Sequence, residues 1–212
     1  MVGKGERMTS HEMQFGKERT ALKFFLLGRN YSLAIKALGF AERYHVGLRK
    51  DGKTPEFHHQ IRIALSATQL PQLINEEGCL TAALLHDVQE DYAIDSRVIQ
   101  GEFGSSTEKS VWALTKKFAN LHKNHEDYIT DISLDPVASI VKGLDRIDNL
   151  QSMVGVFSKE KMTSYANEAR TIFLPMLKKA SNTFPEQAQA YYAISQTMKK
   201  QLQFIEAIIQ LS

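Results

Sequence analysis

The chain has 212 residues, of which 43% are hydrophobic and 24% are charged, a composition typical of a folded globular protein. Its net charge of +2 gives no support for general binding to nucleic acids or to membranes. The single cysteine, Cys79, excludes an intrachain disulfide and a cysteine-rich zinc site. We expect this residue to be a small buried hydrophobe.

The start of the chain is polar and carries no signal-peptide core, and no apolar run approaches the length of a membrane span. A cytoplasmic location is therefore expected. Several glycines punctuate the first residues, which favours a flexible tail over residues 1–19 followed by one domain over 20–212. The sequence leaves the oligomeric state open.

Apolar residues recur at three- and four-residue spacing along most of the domain, whereas alternating strand patterns are scarce. This periodicity predicts an all-α fold. Asp95 is expected to cap a helix that ends at Gly104, and Asp135 to cap one that begins with Pro136. In chain order the expected helices cover residues 20–27, 31–45, 58–73, 77–88, 95–103, 107–118, 126–133, 136–153, 161–180 and 186–211.

The helix predicted over residues 77–88 is the most informative element. Its apolar run ends abruptly in residues rich in ionisable groups, namely His86, Asp87, Glu90 and Asp91. Charged groups at the end of a buried helix are costly unless they are paired or bind a metal. We therefore consider that these residues bind a divalent metal ion, which activates a water molecule.

Two other places supply metal-ligand chemistry: the His58-His59 pair and Asp145. Imidazole and carboxylate ligands without a thiolate suit Mn²⁺, Fe²⁺ or Zn²⁺. Either of the neighbouring histidines could be the ligand, and alignment of the following residues favours His59. An isolated His-Asp pair is common by chance, so the order and helical context of these residues carry the prediction.

Four ordered segments resemble one family, the HD-domain hydrolases of the RelA/SpoT type, which remove the 3′-pyrophosphate of the alarmone (p)ppGpp. The similarity covers roughly residues 41–152. Its segments are Arg49 to Gly52 followed by His59, residues 82–91 (AALLHDVQED), residues 99–104 (IQGEFG) with 111–116 (VWALTK), and residues 141–150 (VKGLDRIDNL). The resemblance implies a single HD-domain helical bundle with closing helices over 157–212, and a small, hydrolase-only member of the family.

The resemblance also implies roles for individual residues. One Mn²⁺ would be bound by His59, His86, Asp87 and Asp145, with Fe²⁺ or Zn²⁺ as alternatives. Glu90 and Asp91 would position and deprotonate the attacking water. A nucleotide would be the small-molecule partner, contacted by Arg49, Lys50, Lys142, Arg146, Asn149 and Ser152. Among these, we expect Lys142 to be a solvated or pairing charge, and Arg146 could be a structural ion-pair partner.

Several positions depart from the family pattern. Asp51, Glu56 and Asp148 add negative charge near a polyanionic ligand, which would weaken binding unless they point away or are paired. Gln60 stands where proline is usual, and Tyr92 where threonine is usual. The substrate therefore stays open between (p)ppGpp and another phosphorylated nucleotide, such as an adenine alarmone, a nucleoside monophosphate or a 2′- or 3′-phosphonucleotide. A catalytically silent nucleotide-binding domain is the third alternative.

Overall fold

The computed structural model describes residues 9–211 of the chain, and these residues form an all-α bundle with one two-residue β-hairpin. The predicted fold class is confirmed. None of the helices in this part of the chain is long and apolar enough to span a membrane. The α-helices and strands are α1 (Ser10–Gly28), α2 (Ser32–Glu42), α3 (His58–Ala67), α4 (Glu76–Leu85), α5 (Val88–Tyr92), α6 (Ser96–Leu114), β1 (Lys117–Phe118), β2 (Leu121–His122), α7 (His125–Ser133), α8 (Pro136–Ser152), α9 (Lys159–Glu168), α10 (Leu174–Thr183) and α11 (Ala188–Leu211).

Helix α4 lies at the centre of the bundle, where it packs against α2, α3, α6 and α8. Every residue from Cys79 to Leu85 is fully buried, which explains the continuous apolar run, because a helix covered on all sides shows no polar face. The expectation that Cys79 is a small buried hydrophobe is confirmed. This packing brings the end of α4 beside α3 and α8, the helices that carry the other candidate ligands.

The predicted single helix over residues 77–88 is wrong at its end. Helix α4 stops at Leu85, and the short helix α5 begins only at Val88. His86 and Asp87 form the turn between them, where Asp87 has φ −98° and ψ −9°. Ala93 then ends α5 in a left-handed conformation with φ 52°. The break places His86 and Asp87 at a junction rather than inside a regular helix.

The predicted flexible tail over residues 1–19 is wrong from Ser10 onward, while residues 1–8 lie outside the described part of the chain. Helix α1 begins after a reciprocal capping box between Thr9 and Glu12, a device that satisfies two backbone donors at a helix start. Further along, Arg19 makes a bidentate ion pair with Glu42 on α2. These contacts hold the first half of α1 against the bundle.

Predicted boundaries from α6 onward also differ from the structure. Residues 96–114 form one helix with a kink at Gly104, which has φ 84°, a conformation that glycine adopts without strain. Residues 117–118 are not helical but pair with residues 121–122 as an antiparallel hairpin. The helix predicted over 161–180 is interrupted by a π-helical turn, Ala169–Phe173, and a 3₁₀ turn, Pro185–Gln187, precedes α11.

Candidate metal centre and active site

Three candidate ligands converge where α3, α4 and α8 meet. Single ligand atoms of His59, His86 and Asp87 lie within 4.8 Å of one another. His59 belongs to the first turn of α3, and the other two residues form the turn after α4. Both histidines are buried, and Asp87 is partly exposed. The break between α4 and α5 therefore turns one imidazole and one carboxylate toward the same point.

Asp145 of α8 lies beside this group. Its Oδ1 is 3.2 Å from His59 Nε2, and its Oδ2 is 2.7 Å from Lys142 Nζ. Burial raises the pKa of this carboxyl, but the charges of Lys142 and His59 outweigh burial and hold its pKa well below the usual range. Asp145 is thus an ionised, buried carboxylate at the edge of the cluster.

The donor set fits a divalent ion of the manganese, iron or zinc type. His86 Nδ1–H donates a hydrogen bond of 2.8 Å to the carbonyl oxygen of Ala83. Its Nε2 lies 3.0 Å from Asp87 Oδ2, but without hydrogen-bond geometry, so this buried nitrogen has no hydrogen-bond partner among residues 9–211. Buried polar atoms without partners are rare, and a missing ion is one explanation. Two imidazoles with two carboxylates are ligands that these ions accept.

The structure separates the two neighbouring histidines. His58 Nε2 lies 2.8 Å from Glu18 Oε2 of α1, away from the cluster, whereas His59 faces Asp145 and Asp87. Of the two alternatives from the sequence, only His59 is placed where it could bind the same ion as His86.

The acidic pair after the cluster lines a cavity of about 900 Å³ together with three of the candidate ligands, His59, Asp87 and Asp145. Glu90 Oε2 accepts a hydrogen bond of 2.9 Å from the backbone N–H of Lys116, which fixes the carboxylate at the cavity wall. Partial burial, and then the neighbouring charges of Asp87, Glu90 and Glu56, raise the pKa of Asp91 to about 6. A carboxylate with such a pKa is suited to accept a proton near neutral pH.

Another part of the cavity lining carries predicted nucleotide contacts. Arg49 donates hydrogen bonds of 3.2 Å to Asn149 Oδ1 and to Ser152 Oγ of α8. Lys50 lies 5.5 Å from the centre of the Phe157 ring. The structure therefore brings the loop between α2 and α3 against the end of α8, and this wall offers cationic, hydroxyl, amide and aromatic groups to one ligand.

The remaining two predicted contact residues are engaged within the protein. Lys142 pairs with Asp145, as expected for a pairing charge. Arg146 lies 2.9 Å from Glu168 Oε2 and stacks over the Phe173 ring at 4.1 Å. Both residues line the cavity, but their charges are already opposed by a carboxylate.

Each of the three added carboxylates noted in the sequence accepts a hydrogen bond from a neighbouring group. Asp51 accepts hydrogen bonds from the backbone N–H groups of Lys53 and Thr54. Glu56 accepts one from the hydroxyl of Tyr92 at 2.8 Å. Asp148 is held by Arg62 through Nε at 2.6 Å. Only Asp148 faces a cation, so its charge is compensated. Asp51 and Glu56 are held by neutral donors and keep their negative charge.

Sequence reasoning missed three residues around the centre. Asp148 Oδ2 lies 2.6 Å from His59 Nδ1, and Gln60 donates a hydrogen bond of 3.1 Å to Asp87 Oδ2. One signal was available, because Asp148 follows Asp145 by one helical turn and shares its face. The third residue, His45, is only 4% exposed and stacks on Phe57.

Comparisons with known proteins agree with this geometry. No family model matches the chain. It is 30% identical over 146 residues to the guanosine-3′,5′-bis(diphosphate) 3′-pyrophosphohydrolase of Aquifex aeolicus, which covers 66% of this chain. It is 29% identical over 155 residues to the protein named GTP pyrophosphokinase rsh of Brucella ovis, which covers 69% of this chain. Both relatives support the resemblance to the RelA/SpoT-type HD-domain family.

The chain spans about one fifth of the length of the curated relatives that it matches. A solved structure described as a metazoan ortholog of SpoT that hydrolyses ppGpp superimposes with a TM-score of 0.62 at 21% identity. The superposition covers 79% of this chain and 94% of that chain. At this identity the match supports the HD-domain fold, and the activity has to be argued from the site.

Proposed function

We propose that the protein is a metal-dependent hydrolase that removes the 3′-pyrophosphate from guanosine tetra- and pentaphosphate, converting ppGpp into GDP and pyrophosphate. One observation carries this proposal. His59, Asp87 and Asp145 line one cavity together with the acidic pair, and His86 adjoins His59 and Asp87. The relatives named as pyrophosphohydrolases support the same reaction.

We assign Mn²⁺ to the centre, with Fe²⁺ or Zn²⁺ as alternatives that the same ligands accept. His59, His86, Asp87 and Asp145 would hold the ion. When bound, such an ion polarises a phosphoryl oxygen and lowers the pKa of a water molecule.

The residues of the chain supply positioning and proton transfer. The water oxygen forms a bond to the phosphorus attached to O3′, and the bond from that phosphorus to O3′ breaks. Asp91, with its raised pKa, accepts the proton of the water, and Glu90 orients the water from its fixed place on the Lys116 backbone. The leaving O3′ takes up a proton to become the ribose hydroxyl, and the pyrophosphate departs with the water oxygen.

The part of the cavity lining around Arg49 and Asn149 holds the nucleoside. Arg49 and Lys50 present cationic side chains above the end of α8, beside the amide of Asn149 and the hydroxyl of Ser152. A guanidinium can stack on a base and also bind phosphate. The cavity of about 900 Å³ lies within the size range of ligand pockets, which fits a nucleotide with phosphates at both positions.

A nucleotide panel tests the proposal. Purified protein loaded with Mn²⁺ is incubated with ppGpp, pppGpp, an adenine alarmone and nucleoside monophosphates, and the products are separated by chromatography. We expect GDP from ppGpp and GTP from pppGpp, each with pyrophosphate. Turnover of the adenine alarmone or of a monophosphate alone would move the substrate to the second alternative. Metal binding without turnover of any nucleotide would favour the silent nucleotide-binding domain.

A further inference from the structure

The region behind His59 contains a buried charge arrangement that the ligands themselves do not explain. His59 Nδ1 lies 2.6 Å from Asp148 Oδ2, and both side chains are more than nine-tenths buried. Arg62 donates two hydrogen bonds to the same carboxylate, from Nε to Oδ1 at 2.6 Å and from its terminal nitrogen to Oδ2 at 2.8 Å. A buried carboxylate is stable only when it is paired and hydrogen-bonded in this way.

The arrangement decides which nitrogen of His59 is free. A carboxylate can only accept a hydrogen bond, so Nδ1 must carry the proton that it donates to Asp148. The other nitrogen, Nε2, then faces Asp145 Oδ1 at 3.2 Å and Asp87 Oδ2 at 4.0 Å. When a metal ion displaces the proton on Nε2, the lone pair of this nitrogen is therefore directed into the cluster.

The two imidazoles of the centre are oriented in different ways. His86 has its Nδ1 against a backbone carbonyl oxygen, that of Ala83, which no substitution of a side chain removes. His59 depends instead on a charged side chain that is itself held by Arg62. A carboxylate behind an imidazole increases its basicity and fixes its ring more strongly than a neutral acceptor does.

We propose that Asp148, held by Arg62, is a positioning residue that fixes the tautomer and orientation of His59 and so sets the metal affinity of the centre. The proposal rests on the metal site of the proposed function. Both residues act through His59. Arg62 donates two hydrogen bonds to Asp148, so the arginine contributes to the centre by keeping that carboxylate charged and in place.

Calorimetric titration of Mn²⁺ into the metal-free full-length protein tests this idea without a substrate. We expect Asp148→Asn to weaken Mn²⁺ binding about 10- to 100-fold, as is typical of lost partners of metal-bound histidines. Arg62→Gln should weaken binding in the same direction. The double variant should bind no more weakly than Asp148→Asn alone, because the arginine acts through the aspartate.

The chain offers a matched control. Arg19 also makes a bidentate pair with a carboxylate, Glu42, at the surface between α1 and α2. Arg19→Gln removes a pair of the same kind outside the centre and should leave Mn²⁺ affinity unchanged. A cooperative thermal unfolding transition shows that each metal-free variant is folded. If Asp148→Asn does not fold, the Mn²⁺ affinity of Arg62→Gln tests the proposal.

A spectroscopic measurement separates positioning from general support of the fold. In the Zn²⁺-loaded protein the proton on His59 Nδ1 should resonate far downfield, as expected for a short bond to a carboxylate, and Asp148→Asn should move it upfield. Wild-type protein that binds neither ion would overturn the metal centre as a whole. If the wild type binds Mn²⁺ and Asp148→Asn binds it within twofold as tightly, only the positioning role is wrong.

Discussion

The hydroxyl of Tyr92 donates a hydrogen bond of 2.8 Å to Glu56 Oε2 and thereby ties α5 to the loop between α2 and α3. The same carboxylate oxygen accepts a bond of 3.3 Å from the backbone N–H of Gly47. The loop carries Arg49 and Lys50, and α5 carries Asp91 immediately before Tyr92. One partly buried contact therefore links the loop that carries Arg49 and Lys50 to the proposed base, and it holds a negative charge near that base.

This charge has a measurable effect on the pH dependence of turnover. In the metal-free protein, burial and the charges of Asp87, Glu90 and Glu56 raise the pKa of Asp91 to about 6. Turnover should fall as the pH drops through the pKa of this base and the base becomes protonated. Glu56→Gln removes one of the like charges and should lower the pKa of Asp91. The acidic limb of the kcat/KM profile should then move to lower pH.

The control for this experiment is Glu108→Gln on α6, which removes a carboxylate that does not line the cavity. Its profile should coincide with that of the wild type. An acidic limb that stays in place in Glu56→Gln would show that a group other than Asp91 sets it.

Glu90→Gln should retain the metal and lose turnover. The substitution keeps the shape of the side chain and an oxygen that can accept the hydrogen bond from Lys116 N–H, but it removes the charge that orients water. We expect kcat to fall about 100- to 10,000-fold, the usual range for a missing acid–base group. Metal content by mass spectrometry and turnover of the same sample check both parts. Normal turnover would mean that the acidic pair is assigned wrongly.

The neighbouring histidines provide a paired test of the metal ligands. His59→Ala, His86→Ala and Asp145→Ala should each lose bound metal, because each removes a donor from the cluster. His58→Ala should keep it, since His58 contacts Glu18 instead. Metal content after dialysis against trace Mn²⁺ measures the difference. Loss of metal in His58→Ala alone would reverse the assignment.

His45 should make the fold sensitive to acid. Burial lowers the pKa of His45 from 6.5 to about 4, and nearby Asp87 and Glu56 only partly oppose this effect. The unfolded chain therefore binds the proton more readily, so stability is lost as the pH falls from about 6.5 toward 4. At pH 5 this loss is about 2 kcal/mol. Denaturant unfolding at pH 8 and pH 5 should show a smaller loss in His45→Phe, which keeps a ring against Phe57; an equal loss would assign the sensitivity elsewhere.

The sequence predicted the all-α class and the helix starts at Asp95 and Asp135, because apolar spacing and capping residues are local signals. The grouping of His59 with His86 and Asp87 came from the family resemblance instead. The break after Leu85 could not be predicted, since apolar periodicity continues through it. Contacts between distant elements were also out of reach. Asp148 behind His59 and Tyr92 on Glu56 join residues 89 and 36 positions apart, and a charge at such a position is judged unfavourable until its partner is known.

Hydrolysis of ppGpp by the purified, Mn²⁺-loaded protein tests the central claim most directly. Chromatography combined with phosphorus NMR should show GDP and pyrophosphate in equal amounts, with the 5′-diphosphate intact, and Glu90→Gln at the same metal content should form neither at a comparable rate. Release of inorganic phosphate in place of pyrophosphate, or unchanged ppGpp with fully metal-loaded wild-type protein, would contradict the proposed reaction.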